Sequence, residues 1–332
     1  MNSKRWIALV VAIALFILSL GVQMTETEED AKLATDFSTL FRDADFKEKV
    51  IKTGVGKKKV VVLNLEGVIQ DLGSAPFMSS VAYDHRRFLE MIKYAASDPS
   101  VGGVILNVNT PGGGVVESAE IHAELNKLVE QDVPLYVSMG NTAASGGYYV
   151  SAPATKIVAH PATLTGSIGV ILQNMDISEL AKEYGIDFNT IKSGEFKDIL
   201  SPMRKMTEAE EELLQEMVDD MYDDFVDVIV EGRNMSEADV RKIADGRVFT
   251  GKQAKENGLV DDLGSLDDTI AMLKDDYGLE DARVVEYETS ISLSKLFTLS
   301  AKNVLQKDQE LFNVLNLLKE SSGPRLLYLY AG

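Results

Sequence analysis

Ser145 lies in Thr142-Ala143-Ala144-Ser145-Gly146-Gly147-Tyr148-Tyr149, a run of small residues, and Lys197 lies in Ser193-Gly194-Glu195-Phe196-Lys197-Asp198. With the glycine run Pro111-Gly112-Gly113-Gly114 they offer the parts that amide hydrolysis requires: a nucleophile, a base, and backbone donors for an oxyanion. A serine hydroxyl attacks poorly at neutral pH unless a neighbouring base takes its proton. Histidine is the usual base, but the chain has only 3. His85 begins a helical stretch beside Arg86, His122 lies within the stretch after the triple glycine, and His160 precedes Pro161, so none has the context of a triad. Lysine can replace histidine when its amine is neutral, and burial lowers a lysine pKa by up to ~3–5 units from about 10.4. Ser-Lys pairs use this solution.

Phe196, Ile199, Leu200 and Pro202 could wall Lys197 with apolar surface, while Gly194 lets the backbone pass closely. The plainer reading is a surface lysine paired with Glu195 or Asp198. Ser145 likewise has a plainer reading, since small residues at a helix start also serve close packing. The triple glycine lacks the Lys-Ser/Thr ending of a phosphate loop and the spacing of a dinucleotide fingerprint. Backbone N–H groups brought against a reacting carbonyl explain it better, each such donor being worth about 3–4 kcal/mol to the transition state; a simple tight turn is the alternative. In Thr165-Gly166-Ser167-Ile168-Gly169 the Ser167 hydroxyl could hold a neutral lysine amine, or could be an ordinary loop serine.

Positioning these groups falls to a strand-helix alternation. Residues 59–65 and 102–109 are short Val/Leu/Ile-rich runs bounded by Gly and Pro, as buried strands should be. Phe88, Leu89, Ile92 and Ala96 recur at helical spacing between them, and Ile121, Leu125, Leu128 and Val129 do so afterwards. Residues 134–139 and 157–159 read as further strands, with a short helix over 144–152 between them. This order implies an α/β fold with a mostly parallel sheet. After Lys197 helices dominate: Thr207 and Glu210 form a capping box ahead of Leu214, Met217, Met221, Phe225 and Val228. A second helix starts at Ser236. Residues 245–251 read as turn-strand-turn, 252–257 and 266–273 as helical, and 283–287 as a strand. Amphipathic stretches near 293–305 and 311–318 lead to the apolar end Leu326-Leu327-Tyr328-Leu329-Tyr330-Ala331-Gly332.

Residues 6–22 are continuously apolar apart from Ser19, with Lys4 and Arg5 just before them. About 17 helical residues rise roughly 25 Å, within the working range of a membrane span. The basic side stays inside, so residues 1–5 are expected in the cytoplasm and the acidic segment from Glu26 onward outside. A cleaved signal peptide, with Ser19-Leu20-Gly21 as a small-x-small site, is the rival reading, although the apolar run exceeds the usual ~7–15 residues. With no cysteine there is no disulfide, thiolate metal site or lipid-modified cysteine. A formal charge of -19, from 52 acidic against 33 basic residues, argues against nucleic-acid or anionic-lipid binding by the body.

Together Asn109-Thr110-Pro111-Gly112-Gly113-Gly114, Ala144-Ser145-Gly146-Gly147-Tyr148-Tyr149, Thr165-Gly166-Ser167-Ile168-Gly169, Ser193-Gly194-Glu195-Phe196-Lys197-Asp198 and Asp245-Gly246-Arg247-Val248-Phe249-Thr250-Gly251 resemble, in order, the motifs of the signal peptide peptidase A family. The likeness covers roughly residues 58–274 and the anchor, in the short single-domain form. It implies a crotonase-like fold, shared with the Clp protease proteolytic subunit, with a repeated β-β-α core, an N-terminal transmembrane helix and added C-terminal helices. The implied divisions are 1–5 cytoplasmic, 6–22 signal anchor, 23–57 juxtamembrane stalk, 58–287 peptidase domain, and 288–332 C-terminal helices and apolar tail.

By the same resemblance Ser145 is the nucleophile of a serine protease and Lys197 the base, both from one repeat unit. Ser167 bonds the lysine amine, and the N–H groups of Gly113 and Gly146 receive the oxyanion, with the choice among Gly112, Gly113 and Gly114 left open. No cofactor or metal is implied. The substrates would be apolar peptides such as remnant signal peptides, cleaved by a ring-shaped homo-oligomer, commonly an octamer, single-pass in the plasma membrane with its catalytic domain extracytoplasmic. A crotonase-fold acyl-CoA enzyme and a non-catalytic membrane scaffold of protease ancestry are the alternatives. The tail from Leu326 to Gly332 resembles such a substrate; it is expected either as an extra strand in its own or a neighbour's groove, where it could be self-trimmed, or as a disordered end or subunit contact.

Overall fold

The computed structural model describes residues 46–71, 83–288 and 326–330. The chain divides into two compact units, 1–47 with 288–306 and 48–287 with 307–332. Nearly all described residues fall in the second. The expected anchor at 6–22 and the stretches at 293–305 and 311–318 lie outside the described residues. Among those described, no helix is long and apolar enough to cross a membrane.

The central strands are those with the longest β-branched runs. β2 (Lys59–Glu66) buries its first five side chains, which requires cover on both faces and suits a parallel sheet. It lies beside β3 (Val101–Thr110), in parallel register from Val60↔Gly103 to Glu66↔Asn109. β5 (Leu135–Ala144), β6 (Lys156–Ala159) and the short β9 (Asp262–Leu263) continue the sheet on one side, and β10 (Arg283–Glu288) with β1 (Lys47–Lys52) on the other. The order is β1-β10-β2-β3-β5-β6-β9. α1 (His85–Ser97) separates β2 from β3, and α2 (Val115–Glu130) separates β3 from β5, giving the α/β alternation read from the periodicity.

One face of the sheet packs Val60, Val62, Ile105, Tyr136 and Val284 against Ile270 and Leu273 of α8 (Leu266–Asp276). Side chains of this size contribute roughly 1.5–3 kcal/mol each on burial. Ile121, Leu125 and Leu128 of α2 are wholly buried too, as their spacing required.

The sheet starts earlier than sequence periodicity allowed. Residues 23–57 read as a stalk, yet Lys47–Lys52 is a strand with almost every side chain exposed. Charged edge strands of this kind carry little apolar signal and resist pairing with other chains. The strand is tied in through Glu48, whose carboxylate reaches Lys59 and Arg283. The Lys59 side chain is 2% exposed and also meets Asp98 at 2.5 Å. Burial alone would depress the Lys59 pKa, but hydrogen bonds to Asp98 and Glu48 outweigh it and raise the value. Burial would raise Asp98; the Lys59 and Ser100 hydrogen bonds prevail and lower it to about 2. A charge stranded at such a site costs about 3–5 kcal/mol, so β1, β2 and the end of α1 are held as one.

Candidate active site

β5 serves two partners. Its first half, Tyr136 to Met139, pairs with β6, and its second, Thr142 to Ala144, with β7 (Leu164–Gly166). Between them the register with β3 jumps, from Val108↔Met139 to Thr110↔Ala143. The extra residues form a bulge, a device that re-aims a strand. Its freed backbone is satisfied: Thr142 N–H donates to Asn109 Oδ1 at 3.2 Å, and Thr163 Oγ1–H to the Gly140 carbonyl at 2.6 Å. The strand turned this way ends at Ala144, and Ser145 is the next residue.

Ser145 is 1% exposed as a residue and adopts φ 53°, ψ −117°, a combination that suits glycine. Such backbone costs of order 1–3 kcal/mol and persists only where its surroundings enforce it. Its N–H donates to the Gly166 carbonyl at 2.8 Å, while its carbonyl accepts from Tyr148 and Tyr149 in α3 (Gly146–Ser151). Ala144 pairs with Gly166, so Ser145 and Ser167 leave adjacent strand ends side by side. Ser167 has a positive φ as well, 49°, and its N–H bonds the Arg247 carbonyl at 2.8 Å. The packing reading of the glycines after Ser145 also holds. A Cβ on Gly147 would lie 2.8 Å from the Thr110 methyl, and one on Gly146 2.6 Å from Ser118 Oγ, so α3 sits hard against β3 and α2.

The triple glycine is a strand, β4 (Gly112–Gly114), in a sheet of its own with β11 (Leu327–Leu329) from the C-terminus. Ile69 clasps the other side of β4, accepting from Gly114 N–H and donating to the Gly112 carbonyl at 2.8 Å each. Across the groove the tail is paired a second time, Leu327 and Ile171 exchanging N–H to carbonyl bonds of 3.1 Å. The antiparallel register is Tyr328↔Gly113. Bonds from Val115 N–H to the Leu326 carbonyl, 3.4 Å, and from Tyr330 N–H to the Pro111 carbonyl, 2.8 Å, fix its phase. Because hydrogen-bonded pairs alternate along such a ladder, Gly113 and Tyr328 form one, and Gly113 N–H is directed at the Tyr328 carbonyl. A Cβ on Gly112 (φ +104°) would fall 2.0 Å from that carbonyl oxygen and 2.7 Å from Gly146 N. Tyr328 O and Gly146 N thus flank a space that one methyl group would fill.

The Tyr328 side chain is buried. It stacks on Tyr149 of α3 at 5.0 Å, meets Phe225 of α5 (Glu208–Arg233) at 4.7 Å, and donates its hydroxyl to the Met221 carbonyl at 2.9 Å. Burial, with the Tyr149 and Asp224 charges adding to it, raises its pKa, so the phenol stays protonated and able to donate. Tyr149, Ile69 and Ile171 are not singled out by the sequence, and Phe225 reads there only as part of a helix's apolar face. Their roles come from strand register and helix packing, which have no local signature.

Lys197 stands apart from this cluster. It occupies a one-turn 3₁₀ segment, Glu195–Asp198, with no buried residue, and is itself exposed. Among the described residues no hydrogen bond joins it to Ser145 or Ser167. The plainer reading of a surface lysine holds for its exposure, but among the described residues it pairs with neither Glu195 nor Asp198, whose carboxylate is taken by Lys192 at 2.6 Å and Arg204 at 2.7 Å. The surrounding stretch exposes large apolar groups, among them Met175, Tyr184, Phe188, Ile191 and Phe196, with Leu180 of α4 (Ser178–Glu183).

The histidines do other work. His85 bridges the Tyr83 hydroxyl at 2.8 Å and Glu120 at 2.7 Å. His122 packs on Tyr149, and burial lowers its pKa to about 4. His160 accepts from Ala162 N–H at 3.2 Å.

The sequence pattern of peptidase family S49 matches residues 127–280, a span containing Ser145, Ser167 and Lys197. A protein of Enterococcus faecium that carries the name signal peptide peptidase SppA is 39% identical over 100% of both chains. Protease 4 of Salmonella typhi is 38% identical over 54% of this chain and 29% of its own length. The chloroplastic serine protease SPPA of Arabidopsis thaliana is 28% identical over 89% of this chain and 44% of its own.

Proposed function

Since the chain belongs to the signal peptide peptidase SppA kind of serine protease within peptidase family S49, we propose that Ser145 and Lys197 form its catalytic dyad. The observation that carries this reading is a peptide held as a substrate would be: the tail is paired along both edges, with the Tyr328 carbonyl facing Gly113 N–H and lying beside Gly146 N. Ser145 Oγ attacks such a carbonyl as its proton passes to the neutral Lys197 amine. The N–H groups of Gly113 and Gly146 receive the negative oxygen, and the lysine returns the proton to the leaving amine. Water then hydrolyses the acyl-enzyme by the same route in reverse. Ser167, emerging beside Ser145, holds the amine. The fold is read as crotonase-like, the bulged β5 aiming the nucleophile.

Lys197 needs a partner surface to lose its water. Its segment is braced at the start of α5 by Glu210, about 22 Å along the helix from Phe225 in the tyrosine pocket. We therefore read the dyad as completed between protomers, the exposed apolar stretch around Lys197 docking on a second copy in a ring-shaped homo-oligomer. This differs from the expectation that one repeat unit supplies both residues. The apolar segment at 6–22 anchors the ring with its catalytic domains extracytoplasmic. The substrates are extended apolar peptides such as remnant signal peptides, with a large side chain entering the Tyr149-Phe225 pocket.

A fluorophosphonate serine probe on the full-length protein is expected to label Ser145, with labelling lost in Ser145→Ala. Undiminished labelling of that variant would assign the nucleophile elsewhere. The tail gives a second test. If the groove processes its own occupant, active protein loses the residues after Tyr328, and mass spectrometry finds intact Gly332 only in Ser145→Ala. Intact Gly332 in both proteins rejects self-trimming.

A further inference from the structure

Five charged side chains surround the backbone on either side of Lys197, and four of them are locked to one another. Asp198 Oδ1 accepts from Lys192 Nζ at 2.6 Å and from Arg204 Nη2 at 2.7 Å, and its Oδ2 accepts from Arg204 Nε at 2.9 Å. Arg204 Nη1 continues to Glu210 Oε2 at 2.7 Å, and Nη2 to Glu210 Oε1 at 2.5 Å. Glu210, whose side chain is 2% exposed, closes the capping box of α5 by accepting from Thr207 N–H at 3.0 Å. The turn's carbonyls are engaged as well: Asp198 O accepts from Arg204 at 3.1 Å, and Glu195 O from Lys192 at 2.7 Å. The fifth group, Glu195, is exposed, where a charge pair is worth little. From α4, Glu179 is spent on Lys205 at 2.6 Å.

This arrangement answers the problem that the sequence poses for a lysine base. A carboxylate within ~4–6 Å favours the ammonium form, and Asp198 is the next residue in the chain. Both of its oxygens are instead occupied, and the hydrogen bonds from Arg204 and then Lys192 hold its carboxyl well below the usual range. The four locked groups carry two positive and two negative charges, so Asp198 belongs to a bracket with no net charge.

We propose that Arg204 is a positioning residue for proteolysis, which, with Lys192, occupies the Asp198 carboxylate so that it cannot hold Lys197 as an ammonium ion, and which braces the lysine-bearing turn on Glu210. The proposal rests on Lys197 being the base. A purely structural role would lower activity equally at every pH; this role moves the pH at which activity appears.

The test measures kcat/KM for an apolar fluorogenic peptide against pH, with assembly state and Tm, in full-length protein carrying Arg204→Gln, Arg204→Lys, Asp198→Asn or Arg204→Gln with Asp198→Asn. Arg204→Gln is expected to lose about 10-fold near pH 7 and to recover as pH rises, its rising limb displaced upward by about one unit. The double variant is expected to return the limb towards the wild-type position, and Arg204→Lys to fall between. Asp198→Asn, which leaves the bracket with two cations against one carboxylate, is expected to move the limb to lower pH and keeps the test informative if Arg204→Gln fails to assemble. An equal loss at every pH, no restoration in the double variant, or an upward shift in Asp198→Asn would overturn the proposal. Retained activity in Lys197→Ala would remove the base assignment and this inference with it; loss there beside an unshifted Arg204→Gln profile overturns only the role of Arg204.

Discussion

Ser145→Ala and Lys197→Ala are each expected to lower kcat for an apolar peptide by about 10⁴-fold, with little change in KM, and the double variant is expected to be no worse than either single one. Residues that act as a unit lose their contribution together, so their effects do not add. The two variants should nevertheless differ in other respects. Ser145 is buried at a strained turn that alanine occupies with the same positive φ, so its removal leaves Tm within a degree or two while abolishing chemistry. Lys197 is exposed in the protomer, so its removal spares protomer stability; any loss of assembly would report on the surface that desolvates it. Steady-state kinetics with Tm and analytical ultracentrifugation separate these effects. More than a few per cent of activity in either variant would exclude the dyad.

Gly112→Ala is expected to cost about 10²–10³-fold in kcat/KM, the loss that follows removal of one oxyanion donor. The added Cβ would lie 2.0 Å from the Tyr328 carbonyl oxygen, 2.7 Å from Gly146 N and 3.1 Å from the Ala144 carbonyl, at a φ of +104° that alanine resists. All three neighbours are backbone and cannot rotate away. Gly114→Ala is the control. The atoms nearest its Cβ would be those of the Glu117 carboxyl group, from 1.9 Å, the end of a flexible side chain that can move, so activity should fall by less than about tenfold, roughly 1.4 kcal/mol. Equal effects at the two positions would mean that the glycines matter only for their turn.

The sequence revealed the central strands because parallel strands buried on both faces are nearly unbroken in Val, Ile and Leu, as at residues 59–65. It revealed α5 because Thr207 and Glu210 form a capping box with both hydrogen bonds present. It missed β4, since three glycines have no strand propensity and pair only because Ile69 and the tail flank them. It missed β1 because a charged edge strand has no apolar period. Ser145, Ser167 and the glycines could be named from local motifs, as strained or crowded backbone restricts residue type at each place. Tyr149 and Phe225 could not, because a pocket wall shared by α3 and α5 exists only after the chain has packed. The neighbourhood of Lys197 was misjudged for a related reason: Asp198 looks like its partner until Arg204, six residues on, is seen to take that carboxylate.

Helix α5 spans Glu208 to Arg233, 26 residues, and it touches more than one station of the proposed reaction. Its first turn fastens the segment bearing Lys197, its middle grips Tyr328 through Phe225 and the Met221 carbonyl, and Gly232 near its end lies flush with the Ala152 carbonyl just beyond α3. On the proposed reading, a single shaft therefore joins one protomer's aromatic cup to the lysine that it lends to its neighbour. A peptide seated poorly in one cup would then tell on turnover at the adjoining protomer as well as on its own affinity.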